Sequence, residues 1–310
     1  MSVLNQQTSS KTDKSFGLLV RILGTFLFLY AAHYFFEFQN ITSLVGEIDK
    51  TYLIGGIGIT VLSPLLTTLR LKIFLRVVEI NRPYLSCLQT AYCGLALNLF
   101  LPARGGDLAK MAFLRNGSSP SWSELGTAAI LERISDILAL TFLGFIAALI
   151  LGHNIAFFVS FILFFGILTI LFLLPKLVYR LKLLEKFKLI SEFSNSIRKN
   201  FSFLLIGFST SVLCWMTNSI IMGLALKSIN ESVTFLHSLV ATPPSILAGI
   251  LPISLWGVGT RDSSLAFFLQ DLAPTTEIIS AGLLYTVLVY WLLGFLGTPV
   301  LFFAKKHKGH

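Results

Sequence analysis

The chain has 310 residues, of which 55% are apolar or aromatic and 13% charged, against roughly 25% charged in a soluble globular protein. With a mean hydropathy of +0.79, it lacks the polar surface to coat so much apolar side chain in water, which excludes soluble enzymes, nucleic-acid binders and disordered regulators. The 24 Lys and Arg against 15 Asp and Glu leave a net charge of +9. In so apolar a chain that excess marks the cytoplasmic side of a bilayer.

In chain order, residues 1–15 are polar, contain Lys11 and Lys14, and read as a cytoplasmic tail. A bilayer core of roughly 30 Å is crossed by about 20 helical residues. Six segments meet that test: 16–36, 52–75, 131–151, 155–174, 201–226 and 277–303. No small-residue cleavage site accompanies the first, so it reads as a retained helix and not a signal peptide. Two further apolar stretches, 84–115 and 235–268, are interrupted by Pro, Gly and charge near their centres. Lipid cannot satisfy an open backbone, so such breaks survive only inside protein or beside a cavity. Both stretches read as re-entrant hairpins that return to the side they entered. Residues 304–310 form a basic cytoplasmic tail.

Charge tests this layout. With both termini inside, Lys50, Lys227 and Arg261 are the three of 24 basic residues left outside, while 7 of 15 acidic residues fall there. A bias in Lys and Arg with no matching bias in Asp and Glu is the positive-inside pattern. The expected fold is therefore all-α and polytopic: six full spans and two re-entrant broken-helix hairpins in one domain over 16–303, sited in the inner (plasma) membrane. Its halves, 16–151 and 155–303, repeat one order of elements: span, span, hairpin, span. The hairpin prolines lie 150 residues apart (102 to 252). Three crossings per half is an odd number, so the halves form an inverted repeat whose hairpin tips can meet, the layout transporters use around a central site.

Three clusters carry the candidate chemistry. In the first hairpin Pro102 ends a half-helix, Gly105 and Gly106 free the backbone, and Asp107 is placed to cap the next half-helix. Free amides there, beside Arg104 and Lys110, suit an anion such as phosphate. The second hairpin has Pro252, Ser254, Gly257 and Gly259 before Arg261 and Asp262. Arg261 either neutralises Asp262 or offers its fork to a phosphate. The third cluster, Glu132, Arg133 and Asp136, opens the span 131–151. Glu132 and Asp136 share a face and need cations; Arg133 lies off that face, so Arg104 and Lys110 are the expected partners, in a salt-bridge network or a headgroup clamp.

Other features read more plainly. Cys87, Cys93 and Cys214 match no metal or redox spacing and read as small apolar packers. The five histidines are scattered, with no HExxH, GxSxG, Walker A or dinucleotide fingerprint, so no metal, ATP or nucleotide cofactor is expected. Residues 176–200 place Leu177, Leu181, Leu184, Phe187 and Ile190 at helical spacing among lysines, as in a basic amphipathic helix resting on the anionic cytoplasmic leaflet.

The segments Asn98 to Lys110 (NLFLPARGGDLAK), Leu131 to Asp136 (LERISD) and Leu251 to Asp262 (LPISLWGVGTRD) together resemble the lysylphosphatidylglycerol synthase transmembrane region, or flippase-like domain, family. The resemblance runs over about residues 16–303, with Ala103-Arg104 a departure where a smaller, glycine-like residue is expected. It implies movement of aminoacylated phospholipids between leaflets. In the full synthase a cytoplasmic acyltransferase is fused to this domain; here only six residues follow Ala304, so the lipid-handling half is expected without the aminoacyl transfer. The expected partner is a lipid with a phosphate headgroup, with no nucleic acid, and with a second copy or a lipid or glycan pathway protein as a further partner. The alternatives are a membrane transferase on a lipid-linked sugar or aminoacyl group, and a non-transporting member of an assembly complex.

Overall fold

The computed structural model describes residues 48–101, 105–115, 118–152, 154–180, 188–230, 232–250, 254 and 256–303. Regular structure among them is helical throughout. Helix α1 is Lys50–Val77, and α2, Tyr84–Phe100, leads through a break to the short α3, Gly106–Ala109, and a 3-10 turn, Lys110–Leu114. Next come α4 (Trp122–Leu151), α5 (Asn154–Arg180), α6 (Lys188–Lys199) and α7 (Phe201–Lys227). A second interrupted pair follows, α8 (Phe235–Ile250) and α9 (Thr260–Leu269). The last rod is α10 (Thr275–Thr286), a π-helical stretch Val287–Leu292, and α11 (Leu293–Phe303). Four of these, α1, α4, α7 and the α10–α11 rod, are long and apolar enough to cross a membrane. Helix α5 contains a shorter apolar stretch, Phe157–Leu173. The expected first span, 16–36, lies outside the described residues.

Local sequence explains the element ends. Helix α4 starts nine residues before the expected 131 because Ser121 and Glu124 form a capping box, each side chain accepting the other's backbone N–H. Gly152, with φ 69°, closes it. Helix α2 stops at Phe100 because Leu101 is extended (φ −94°, ψ 126°), as a residue before proline must be. Within α1, Pro64 has no N–H for the carbonyl of Thr60, and the Ser63 hydroxyl donates to that carbonyl instead, at 2.8 Å.

Two apolar clusters, one in each half, hold the helices. Leu71, Leu75, Cys87, Met111 and Leu125 join α1, α2 and α4. Ile221, Met222, Leu265, Ile278 and Tyr285 join α7, α9 and α10. The halves meet where α1 packs on α7, α2 on α11 and α8 on α4. Glycines allow the α2–α11 approach: Gly294 faces Leu99, and Gly297 meets the backbone of Tyr92 and Ala96. Helix α5 stacks on α4 through Phe145 and Phe157, 5.0 Å between ring centroids. Its outer side chains, Phe158 and Ile162 among them, are exposed, as lipid contact requires.

The stretch expected to rest on the leaflet is only partly within the described residues. Its end, α6, turns Phe193 and Ile197 onto Phe74, Val77 and Leu131. That apolar face is therefore covered by protein.

Candidate functional site

A layer of six charged side chains lies between α1, the first break and α4. Arg70 of α1 donates from Nη2 to Glu132 Oε1 at 2.9 Å and from Nη1 to Asp136. Lys110 approaches Glu132 at 3.1 Å and Asp107 at 3.8 Å. Arg133 bridges Asp107 at 3.0 Å and Asp136 at 3.2 Å. Lys110 and Glu132 are each 1% exposed and Arg70 5%, so these charges persist only because each has an opposite partner. Asp136 also accepts from Trp215 Nε1 of α7 at 3.0 Å, and Ser135 donates to Ser211 at 3.0 Å. The layer thus ties the first half to the second.

The geometry revises several expectations. Glu132 and Asp136, expected to open a span, lie ten and fourteen residues after the start of α4 at Trp122. Arg133, expected off the acidic face, joins the network, since the three-residue step to Asp136 keeps them neighbours. The N-cap position of α3 is Gly105, and Asp107 follows it in the first turn, with its carboxylate reaching Lys110 and Arg133. Gly105 is right-handed at φ −59°, so it does not supply unusual backbone freedom. Gly106 is needed for space: a Cβ there would stand 2.6 Å from Asn98 N. Arg104 lies outside the described residues.

Arg70 is the member that sequence reasoning passed over, counting it among the residues that orient the chain. One signal was present. The apolar run continues beyond it through Leu71, Ile73, Phe74 and Leu75, placing the guanidinium within the helix and not at its end.

In the second broken segment Arg261 and Asp262 are 2% and 0% exposed. Arg261 donates from Nε to Asp262 at 2.8 Å, and from Nη2 to the Gly282 carbonyl at 2.6 Å and the Thr286 hydroxyl at 2.8 Å. Its guanidinium also lies 4.8 Å from the ring centroid of Tyr285. Asp262, in the first turn of α9, accepts from Gly259 N at 3.2 Å, as the acidic member of a capping box does. Gly257 (φ 77°) and Gly259 (φ 98°) use left-handed conformations, and the Ser254 hydroxyl lies 3.2 Å from that of Thr260. Of the two readings of Arg261, this geometry is the neutralised pair.

The two breaks touch. Trp256, after the second, donates from Nε1 to the carbonyl of Asn98, before the first, at 3.3 Å. Beside that contact a cavity of about 70 Å³ with a mixed lining is walled by Arg70, Asn98, Asp107, Trp215 and Tyr290 together with Leu95, Val289 and Leu293. Tyr290 belongs to the π-helical stretch, a rare element that is frequent at functional sites. Among the described residues, no group of three or more His, Cys, Asp or Glu is arranged to hold a metal ion.

Comparison with known proteins agrees with these motifs. The family described as lysylphosphatidylglycerol synthase TM region matches residues 18–297. No curated protein matches the chain.

Proposed function

Because the chain belongs to the lysylphosphatidylglycerol synthase TM region family, a family of lipid-related membrane proteins, we propose that it is a lipid translocase that moves a phospholipid or polyprenyl-phosphate-linked lipid between leaflets of the inner (plasma) membrane. The observation that carries this reading is the cavity beside the first break, where Arg70 and Asp107 form part of the wall inside an apolar helical body. An intramembrane charge is costly and marks a pathway more often than a scaffold. The headgroup enters this cavity between the breaks. The chain crosses six times with both termini cytoplasmic, and its halves are inverted copies that rock about the layer between them.

Matched construction supports the inverted repeat. In the first segment a Cβ at Gly94 would lie 2.9 Å from Lys110 Cδ, and in the second a Cβ at Gly249 would lie 3.0 Å from Arg261 Cβ. A basic residue after each break therefore crosses a glycine before it. Lys110 then reaches position 132 on the following span, and Arg261 reaches 282 and 286. The packing is reciprocal too, since α2 lies on the last span of the second half and α8 on the last span of the first.

Transport is favoured over group transfer because Asp107, Glu132 and Asp136 are bound to Arg and Lys and so are poorly placed as acids or bases. The test is reconstitution in liposomes with acyl-labelled lipids and an outside quencher. Labelled lipid disappearing from the inner leaflet faster than in empty vesicles supports the reading, and equal rates for every lipid class overturn it. Asp107→Asn and Asp136→Asn are expected to weaken transport; covalent chemistry would require complete loss of activity.

A further inference from the structure

The contact between the two breaks has a chemical origin at each end. In a continuing α-helix the carbonyl of Asn98 would accept from the N–H of residue 102, and that residue is a proline with no N–H to give. A carbonyl left without a donor is costly inside a bilayer. Trp256 Nε1, from the second half, supplies the donor at 3.3 Å. Trp256 does so from φ 55°, a positive value that a bulky side chain rarely adopts. Such backbone persists only where its surroundings over-determine it, and it clusters at switch regions. Here the indole is also held by Trp291 of the π-helical stretch, with 5.9 Å between ring centroids and 79° between ring planes.

Asn98 also lines the cavity of about 70 Å³. That volume is the share of about two waters in the liquid, and a phospholipid headgroup is larger. The breaks must therefore part before a headgroup can enter. We propose that the contact of Trp256 with Asn98 is a latch that holds the cavity closed between the two halves. This rests on the translocase reading and names the contact that breaks when the halves rock. A latch must also release. One uncharged hydrogen bond is a weak tie, and letting go relaxes the backbone at Trp256. The opened Asn98 carbonyl and the indole N–H then turn to water or to the entering headgroup.

The protein carries its own probe of opening. Cys214 is buried and lines the cavity, whereas Cys87 and Cys93 are buried in α2 away from it. Trp256→Phe keeps an aromatic ring against Trp291 and removes the N–H. In detergent, modification of Cys214 by methyl methanethiosulfonate, located by peptide mass spectrometry, is expected to quicken about two- to twelvefold, the net worth of one neutral hydrogen bond expressed as a ratio of open to closed forms. Cys87 and Cys93 should keep their wild-type rates. In liposomes the variant should move acyl-labelled lipid at least as fast as the wild type. An unchanged Cys214 rate overturns the latch, and so does an equal rise at all three thiols, which would mean general loosening. A variant that stops moving lipid while the wild type moves it overturns the latch too, since the indole would then belong to the path. If neither protein moves lipid but Cys214 alone becomes more reactive, translocation fails and the latch stands.

Discussion

In the first broken segment, Lys110 passes over Gly94 and finds its carboxylate, Glu132, on the following helix α4. In the second, Arg261 passes over Gly249 and finds its carboxylate on the next residue, Asp262, while the following helix offers the Gly282 carbonyl, the Thr286 hydroxyl and the Tyr285 ring. No carboxylate stands at either of these two positions, which are a glycine and a threonine. The space left at Gly282 is filled by Asp262, into which a Cβ there would run. The second segment closes its charge locally. The first draws on α1, α3 and α4 together, contacts Trp215 of the other half, and borders a cavity. A local pair can be rigid and inert, whereas a network of distant members changes whenever the helices that carry them move.

The sharpest way to break this comparison is Glu132→Leu. It leaves Lys110 and Arg70 buried without their shared carboxylate and is expected to cost about 3–5 kcal/mol, read as a lowered unfolding midpoint in detergent. An unchanged midpoint would mean that the first network is not structural. Gly282→Ala is next. Its methyl group meets the Asp262 carboxylate, and overpacking of this kind costs about 1–3 kcal/mol. A normal melting profile would show that Asp262 has room to yield.

The smallest effect is expected from the double substitution Arg261→Met with Asp262→Leu. Exchanging a complete buried pair for apolar residues of similar volume is often neutral, within about 1 kcal/mol, so this variant should fold and still move lipid in the liposome assay. The corresponding apolar exchange of Arg70 with Glu132 should abolish lipid movement even where the protein folds. Loss of movement from the Arg261 and Asp262 exchange would make the two segments functionally equal.

Much of the site was legible in the chain. The breaks could be read because Pro102 and Pro252 interrupt apolar runs with glycine following, and the structure ends α2 and α8 just before them. The pairing of Lys110 with Glu132 was readable because two acids on one helix face require nearby cations. The roles of Asp107 and Arg133 were less so, since both depend on the direction in which α3 leaves the first break. Arg70 lies 62 residues from Glu132 and 66 from Asp136, and no local rule connects them.

What the sequence determined by itself was the solvent, the helical class, the two breaks and the family, because hydropathy, proline chemistry and motif spacing act within a few residues of chain. What only the tertiary structure decided was which charges neutralise one another and which remain incomplete. That depends on how α1, α4 and α7 pack around the first break, and on the room that glycines leave between them. Burial then sets the consequence: where water is excluded, each charge must find its partner across helices.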